Sequence, residues 1–502
     1  MGTAYRVMSE RYSRSFQKDL YRAEDVRAMD RYAIDTVGIA GIELMRRAGA
    51  AAFAAVRERW SGARTLSAIC GGGNNGGDAY VVARLAHEAG MDVRVYPVSP
   101  PANLKGDALT AYRDYRAAGG EILDFIPADF EGAEVLVDGL LGTGLDREVG
   151  GLYADVIRAV NRFSGHVMAL DIPSGLHADT GSALGVAVRA GLTVTFIGLK
   201  RGLFTGEGPE YAGEVVFADL GTPPEVRYSV EPSAMLLPPW ERGLPVRPRY
   251  AHKGHFGHVL VVGGDCGYSG AARMAAEAAA RVGAGLISIA TRKAHADSLN
   301  LTRPELMCHG VETPEELRRL MARATVIAVG PGLGRSEWAK KLLDAVMDTG
   351  LPAVADADAL NLLAENPRIR DNWVITPHPG EAARLLAVSS GEIQKDRFDA
   401  VRKLRERFGG VAVLKGSGSL VCGPDGLPRV STTGNPGMAS GGMGDVLTGV
   451  IAGLLAQGSD LFAAAALGVQ LHGAAGDEAA KAGERGLLAG DLMDPLRRLV
   501  NL

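Results

Sequence analysis

The chain reads as two fused α/β domains, and three observations predict this. With 502 residues it exceeds one ordinary core, and two domains of about 250 residues are the natural division. Short β-rich runs alternate with Ala-rich helical runs in both halves, the pattern of parallel sheets covered by helices. Between the halves, residues 222–250 carry seven prolines (Pro223, Pro224, Pro232, Pro238, Pro239, Pro245 and Pro248) with neither helical nor alternating pattern. The expected organisation is a first domain over 1–221, a Pro-rich linker over 222–250 and a second domain over 251–502. No residue-level repeat joins the halves, so they read as two different α/β domains.

Composition narrows the function classes. The chain is 47% hydrophobic and 22% charged, with a net charge of -4. No basic surface argues for nucleic acid, and no acidic tail argues for disorder, so small-molecule partners fit better. Cys70, Cys266, Cys308 and Cys422 are scattered singly, without disulfide or zinc spacing, which suits a reducing compartment. No stretch approaches the ~18 apolar residues of a membrane span, and the first residues lack the apolar core of a secretory signal. A cytoplasmic protein is expected. Arg6, Arg11, Arg14 and Lys18 read as a plain basic extension.

In the first half, a helical region over about 22–60 precedes a strand over 66–70, a glycine loop, a helix over 80–89 and a strand over 93–98. Later apolar runs end at Val137, Leu170, Phe196 and Phe217. The loop Gly71-Gly-Gly-Asn-Asn-Gly-Gly-Asp78 contains a formal G-x-G-x-x-G. It lacks the acidic residue that holds a ribose at the end of the next strand, and it lacks the lysine of a P-loop. What remains is an amide cradle with two side chains, Asn74 and Asn75, able to offer oxygens. With Asp138 and Ser174 at other strand ends, such oxygens suit a hard cation. The loop from Asp138 to Arg147 is a second phosphate-friendly glycine loop. Asp171, just past a buried strand and before Pro173, is an acid/base candidate, since three polar loops converge on one sheet edge.

The second half repeats the strand–loop logic: strands over 259–263, 286–290, 326–329, 374–376 and 411–415, with helices over 271–282 and about 461–480. Its most informative segment runs from Asn435 to Gly449. Glycines crowd a helix start there, with one carboxylate, Asp445, in the first turn. Glycines let backbone N–H groups surround a phosphate, and the helix N-terminus adds about half a positive charge. Asp445 can take a proton from a hydroxyl while the amides of Gly442, Met443 and Gly444 hold the charge developing on a transferred group. His252, His255 and His258 lie in an irregular segment without an acidic ligand close by, and read as solvated or phosphate-facing imidazoles rather than a metal site.

Several long motifs in one order resemble a known family. Gly71 to Asp78, Asp138 to Arg147, Asp171 to Gly175 and Thr193 to Phe196 with Lys200 resemble the epimerase domain of the metabolite-repair enzymes acting on hydrated NADH and NADPH. Gly330 to Gly334, Asp356 to Asn361, Thr376 to Glu381, Leu414 to Ser419 and Asn435 to Gly449 resemble their dehydratase partner. The resemblance covers nearly the whole chain in the bifunctional bacterial arrangement. It implies a Rossmann-like first domain and a ribokinase-like second. Gly191 stands where the family usually has an aspartate, and Met443 where threonine or alanine is common.

For the first domain the resemblance implies interconversion of the R and S hydrates at C6 of the nicotinamide ring. Substrate contacts fall to Asn74, Asn75, Gly76, Gly77 and Asp78, to Gly142, Thr143, Gly144, Leu145, Asp146, Arg147 and Glu148, and to Asp171, which handles the proton. A potassium ion falls to Asn75, Asp138 and Ser174. For the second domain it implies removal of the 6-hydroxyl of the S hydrate, driven by ADP in bacterial members, with Mg2+ accompanying the nucleotide. Asp445 is then the base, Ala271, Gly332 and His378 contact the hydrated dinucleotide, and Lys415, Gly416, Ser417, Gly418, Ser419 and Gly444 form the nucleotide site. The expected partners are these small molecules, with no nucleic acid and no membrane, and a homo-oligomer is the expected assembly. The rival reading is a ribokinase-like small-molecule kinase fused to a nucleotide-binding domain.

Overall fold

The computed structural model describes residues 5–7, 18–124, 130, 132–240 and 243–502; Arg11 and Arg14 of the basic extension lie outside them. The chain divides into two compact units, one ending at Met235 and the other beginning at Leu236. Among the described residues no helix is long and apolar enough to cross a membrane.

The first unit is built on a parallel sheet whose strands lie in the order Tyr5–Val7, Glu214–Ala218, Leu192–Phe196, His166–Leu170, Val135–Gly139, Thr65–Cys70, Asp92–Pro97. The chain runs outward from Thr65–Cys70 to Asp92–Pro97, then returns across to Val135–Gly139. Strand order therefore reverses between Thr65–Cys70 and Val135–Gly139, where open α/β sheets bind ligands. The expected single helical region is two helices, Ala23–Asp35 and Gly41–Arg59. The helix expected from residue 80 begins six residues earlier, as Asn74–Glu88. Close packing explains the shift: a Cβ on Gly76 would meet the Gly71 carbonyl at 2.1 Å, and one on Gly71 would meet the Leu140 carbonyl at 1.9 Å. These glycines press the first helical turn against the sheet edge.

The second unit carries a nine-strand run in the order Met307–Gly310, Leu286–Thr291, His258–Val262, Val326–Val329, Ala353–Ala355, Trp373–Ile375, Val411–Leu414, Leu420–Cys422, Pro428–Val430. The first seven are parallel, and the last two turn back antiparallel. Its reversal point lies between His258–Val262 and Val326–Val329. The helix Met443–Ala456 is apolar on nearly every side and buried. It packs on helix Ser269–Arg281 so closely that a Cβ on Gly449 would meet the Ala275 carbonyl at 2.0 Å. Its small residues fix how deep the helix start sits in the unit.

The segment expected as a linker over 222–250 is structured, which corrects its reading as a patternless strap. It contains helix Pro224–Tyr228 and strand Ala234–Leu236, which pairs with Asp19–Tyr21. Beyond the division the segment is bonded to the second unit. Leu237 N–H donates to the Val430 carbonyl (2.8 Å), Trp240 Nε1 to Leu499 (3.1 Å), Leu244 N–H to Val500 (2.9 Å), and Gln470 Nε2 to Pro238 (2.6 Å). The Arg247 guanidinium lies 3.6 Å from the Phe256 ring centroid. Prolines mark this strap because its bonds run to distant elements and not along a helix. A fragment starting at Leu236 is therefore expected to melt well above one starting at Ala251. Four lost hydrogen bonds at about 1 kcal/mol each correspond to roughly 8–16 °C for a unit of this size. Equal melting temperatures would show that the strap adds nothing.

Candidate active sites

In the first unit the two glycine loops and Asp171 surround a cleft of ≈ 690 Å³ at the strand-order reversal. Asn74, Asn75, Asp78, the 142–147 loop and Asp171 line it, whereas Gly76, Gly77 and Glu148 do not. Gly76 and Gly77 are buried, as their packing role requires. Asp171 has φ +63°, a left-handed conformation uncommon outside glycine. The bonds to its carboxyl converge on Oδ1: the Lys200 ammonium, Thr195 Oγ1 at 3.3 Å and the Phe196 N–H at 3.3 Å. Lys200 is 1% exposed and also donates to the Phe196 carbonyl (2.9 Å) and Thr195 Oγ1 (3.2 Å). A strained backbone and a buried ion pair thus aim one carboxylate at the cleft.

Beneath the cleft, Asp138 accepts from Ser174 Oγ at 2.6 Å, from Ser174 N–H at 2.8 Å and from Leu140 N–H at 3.2 Å. Burial pushes Asp138 up to about 6, against these hydrogen bonds. Asn75 Nδ2 donates to the Leu141 carbonyl at 2.8 Å, and Ser174 Oγ accepts from the Leu141 N–H at 2.8 Å. The structure thereby brings Asn75, Asp138 and Ser174 around one backbone segment. Asn75 Oδ1 is buried and has no hydrogen-bond partner among the described residues, an orphaned acceptor of the kind a cation satisfies.

In the second unit Gly442 caps helix Met443–Ala456 with φ +94°, and Asp445 stands in the first turn. Burial, reinforced by Asp356 and opposed by Lys415, raises Asp445 to about 7, with Asp358 and Glu381 raising it further. Lys415 Nζ lies 2.6 Å from Asp356 Oδ1 and 3.7 Å from Glu381 Oε2. Burial works against the lysine charge, yet these two carboxylates carry Lys415 above its usual value. Thr448 Oγ1, one helical turn after Asp445, donates to Asp356 Oδ2 at 2.8 Å. A Cβ on Gly444 would lie 3.1 Å from Lys415 Nζ, so the glycine helix start and the lysine share one small space.

Of the other carried-over residues, His378 lies within reach of the Lys415 charge, and Ala271 and Gly332 meet at Tyr268. The Ala271 N–H donates to the Tyr268 carbonyl, and a Cβ on Gly332 would sit 2.4 Å from that carbonyl and 3.2 Å from the Ala271 methyl. His378 caps helix Pro379–Leu386 by accepting from Gly380 N–H at 3.0 Å. Burial, with Lys415 and Arg384, lowers its pKa, against the opposing charge of Asp356. Ser419 Oγ bonds Gly416 on both sides, accepting from its N–H (3.2 Å) and donating to its carbonyl (2.9 Å). The buried Arg397 guanidinium donates to the Leu414 (3.3 Å) and Lys415 (3.2 Å) carbonyls and braces that loop. Elsewhere, His252 and His255 stack at 3.8 Å. Gly191 is exposed, and a Cβ there would meet only the Val167 carbonyl at 3.7 Å, so the missing aspartate leaves no packing defect.

Sequence reasoning placed the carboxylates Asp171 and Asp445 but gave no role to Lys200, Asp356, Glu381, Thr448 or Arg397. Lys200, Asp356, Glu381 and Thr448 sit within the motifs above, and for the first three a charged residue in such a motif was the available signal. Arg397 lies outside every motif and carried none.

Residues 259–498 match the family model described as NAD(P)H-hydrate dehydratase, and residues 41–202 match the YjeF-related protein N-terminus. The bifunctional NAD(P)H-hydrate repair enzyme of Coxiella burnetii is 50% identical over 96% of this chain and 99% of its own length. That of Escherichia coli is 44% identical over 97% and 95%. The chain belongs to the family of bifunctional NAD(P)H-hydrate repair enzymes. Among solved structures, the ADP/ATP-dependent NAD(P)H-hydrate dehydratase from Bacillus subtilis, co-crystallised with ATP/Mg2+, is 31% identical and covers 53% of this chain and 98% of its own, with a TM-score of 0.46. A ribokinase-like superfamily protein from Enterococcus faecalis covers 51% and 91% at 31% identity and a TM-score of 0.47. Membership favours the repair reading over the rival kinase.

Proposed function

We propose that the first unit interconverts the R and S forms of hydrated NADH and NADPH, and that the second uses ADP to dehydrate the S form. The observation that carries the reading is the Asp445 carboxyl, tuned near neutrality in the first turn of a glycine-rich helix start. Hydroxide is a poor leaving group, and phosphate is a good one. Asp445 accepts the 6-hydroxyl proton as the phosphoryl group arrives, the 442–444 amides hold the developing charge, and the 415–419 loop holds the nucleotide. Ala271, Gly332 and His378 seat the dinucleotide. Asp356 and Glu381 already face the Lys415 ammonium, so a Mg2+ ion would enter with the nucleotide phosphates and would supply positive charge against the phosphoryl group.

In the first unit Asp171 moves the hydroxyl proton. The Asn75 amide oxygen, the Ser174 hydroxyl and the Asp138 carboxylate offer an oxygen set of single formal charge, which fits a weakly hydrated monovalent cation such as K+. Bound there, the ion supplies a fixed positive charge under the cleft. Epimerisation is expected to be faster in potassium than in sodium salts, and potassium alone raises the melting temperature. An ion at a hundredfold its Kd adds about 2.7 kcal/mol. Equal rates and equal melting in the two salts would remove the cation from the site.

The test of the whole reading is incubation of the purified chain with mixed R and S hydrates, with and without ADP, following NADH absorbance. Full recovery of NADH only with ADP is expected. Accumulation of a stable phosphorylated product would instead favour the kinase. The expected cytoplasmic location and homo-oligomeric assembly are parts of the same proposal, the latter checked by light scattering.

A further inference from the structure

Five carboxyl groups line the first unit's cleft, those of Asp30, Asp78, Asp107, Asp146 and Asp171, together with the Lys200 ammonium and the Arg27 and Arg147 guanidinium groups; burial shifts two of them, Asp30 and Asp78, in the company of Asp171 and Lys200. The ammonium is committed to Asp171, Thr195 and Phe196. The carboxyl groups of Asp30, on helix Ala23–Asp35, and of Asp78, on helix Asn74–Glu88, make no hydrogen bond or ion pair among the described residues. Burial, opposed by Lys200 and reinforced by Asp171, pushes Asp30 up to about 6, with Arg31 and Arg27 also opposing. Burial, with Asp171 and Asp30, pushes Asp78 well above the carboxylate range despite Lys200. The cleft therefore presents one ion-paired carboxylate beside two carboxyls that hold a proton more tightly than an ordinary aspartate.

Inverting a carbon that bears both a hydroxyl and the ring nitrogen calls for such a pair. Taking the hydroxyl proton forms C6=O and breaks C6–N1, and the bond's electron pair goes to N1, which needs a proton. The aldehyde then rotates about C5–C6 and N1 adds to its other face. The N1 proton returns to its donor, and the hydroxyl proton returns from the base. Atoms and electrons balance without an oxidant or co-reactant.

We propose that Asp30 is the acid of the first unit, giving its proton to the ring nitrogen as Asp171 takes the hydroxyl proton. This rests on the reading of that unit as an epimerase. Asp30 is preferred to Asp78 because the group must give and retake a proton in each turnover, and Arg27 and Arg31 on its own helix, besides Lys200, favour release from Asp30, whereas only Lys200 does so for Asp78.

The experiment uses the full chain and the R hydrate. Asp30→Asn is expected to lower epimerisation kcat ~10²- to 10³-fold with little change in KM. The alkaline limb of the pH profile, where the acid loses its proton, should vanish, and Asp30→Glu should restore part of the rate. ADP-driven dehydration and the melting curve report folding. A wild-type rate in Asp30→Asn overturns the assignment, as does a slow variant that keeps the wild-type alkaline limb. A wild-type chain without epimerisation overturns the epimerase reading instead. Carboxyl-carbon NMR then tests Asp30 separately, since titration in the ordinary aspartate range would remove it as the acid.

Discussion

Asp445→Asn is expected to stop ADP-driven dehydration while R and S hydrates continue to interconvert. The amide keeps the shape of the helix start, with Gly442 still at φ +94°, but it cannot accept the hydroxyl proton. Loss of a general base costs ~10² to 10⁴ in rate. The wild-type pH profile carries the same signature. A base must be ionised, so dehydration kcat/KM should climb tenfold per pH unit below about 7 and level off above it. The stability sign is opposite. Asp445 holds its proton more tightly folded than unfolded, so it weakens the fold as pH rises from about 4 to about 7, and the weakening persists above. The variant escapes that cost and should melt no lower than wild type at pH 8. Near wild-type dehydration by Asp445→Asn would show that another group takes the proton.

What the sequence made legible follows from which interactions are local. The parallel strands were readable because each is a short apolar run buried on both faces. Val326–Val329 fell where expected, and Trp373–Ile375 within a residue. The edge strand Met307–Gly310 was not, since it is short and half-exposed, with His309 in it. Nor were Leu420–Cys422 and Pro428–Val430, whose pairing is set by a turn. The start of helix Asn74–Glu88 was misplaced because Gly76 and Gly77 look like loop glycines, while their actual constraint is contact with Gly71, Met45 and Ala108. Asp171 and Asp445 were legible because a carboxylate at a strand end or helix start is a local pattern. Their partners were not. Asp356 reaches Lys415 across 59 positions and Thr448 across 92, and no spacing rule carries such distances.

Asp171→Asn and Lys200→Met are both expected to stop epimerisation, with the S hydrate consumed in the presence of ADP and the R hydrate left behind. They should differ in stability. In Asp171→Asn the buried ammonium loses its carboxylate, but Asp30 and Asp78 line the same cleft and one of them can ionise in its place. The fold then loses little, and the rate falls ~10² to 10⁴ with the base. In Lys200→Met the cleft keeps its carboxyls, Asp30, Asp78 and Asp171 among them, without the ammonium bonded to Asp171. Breaking a buried pair in this way costs about 3–5 kcal/mol while the remaining charge stays ionised. Asp171 also loses the ammonium that positions its carboxylate, and with it the base. Lys200 holds Asp30 and Asp78 down against burial, so its loss lets both rise further. Carboxyls raised above their unfolded value lose stability as pH climbs from about 4, so the variant should fall further below wild type at pH 8 than at pH 5. Melting of Lys200→Met that tracks wild type at both pH values, with epimerisation retained, would mean the ion pair neither positions Asp171 nor steadies the cleft.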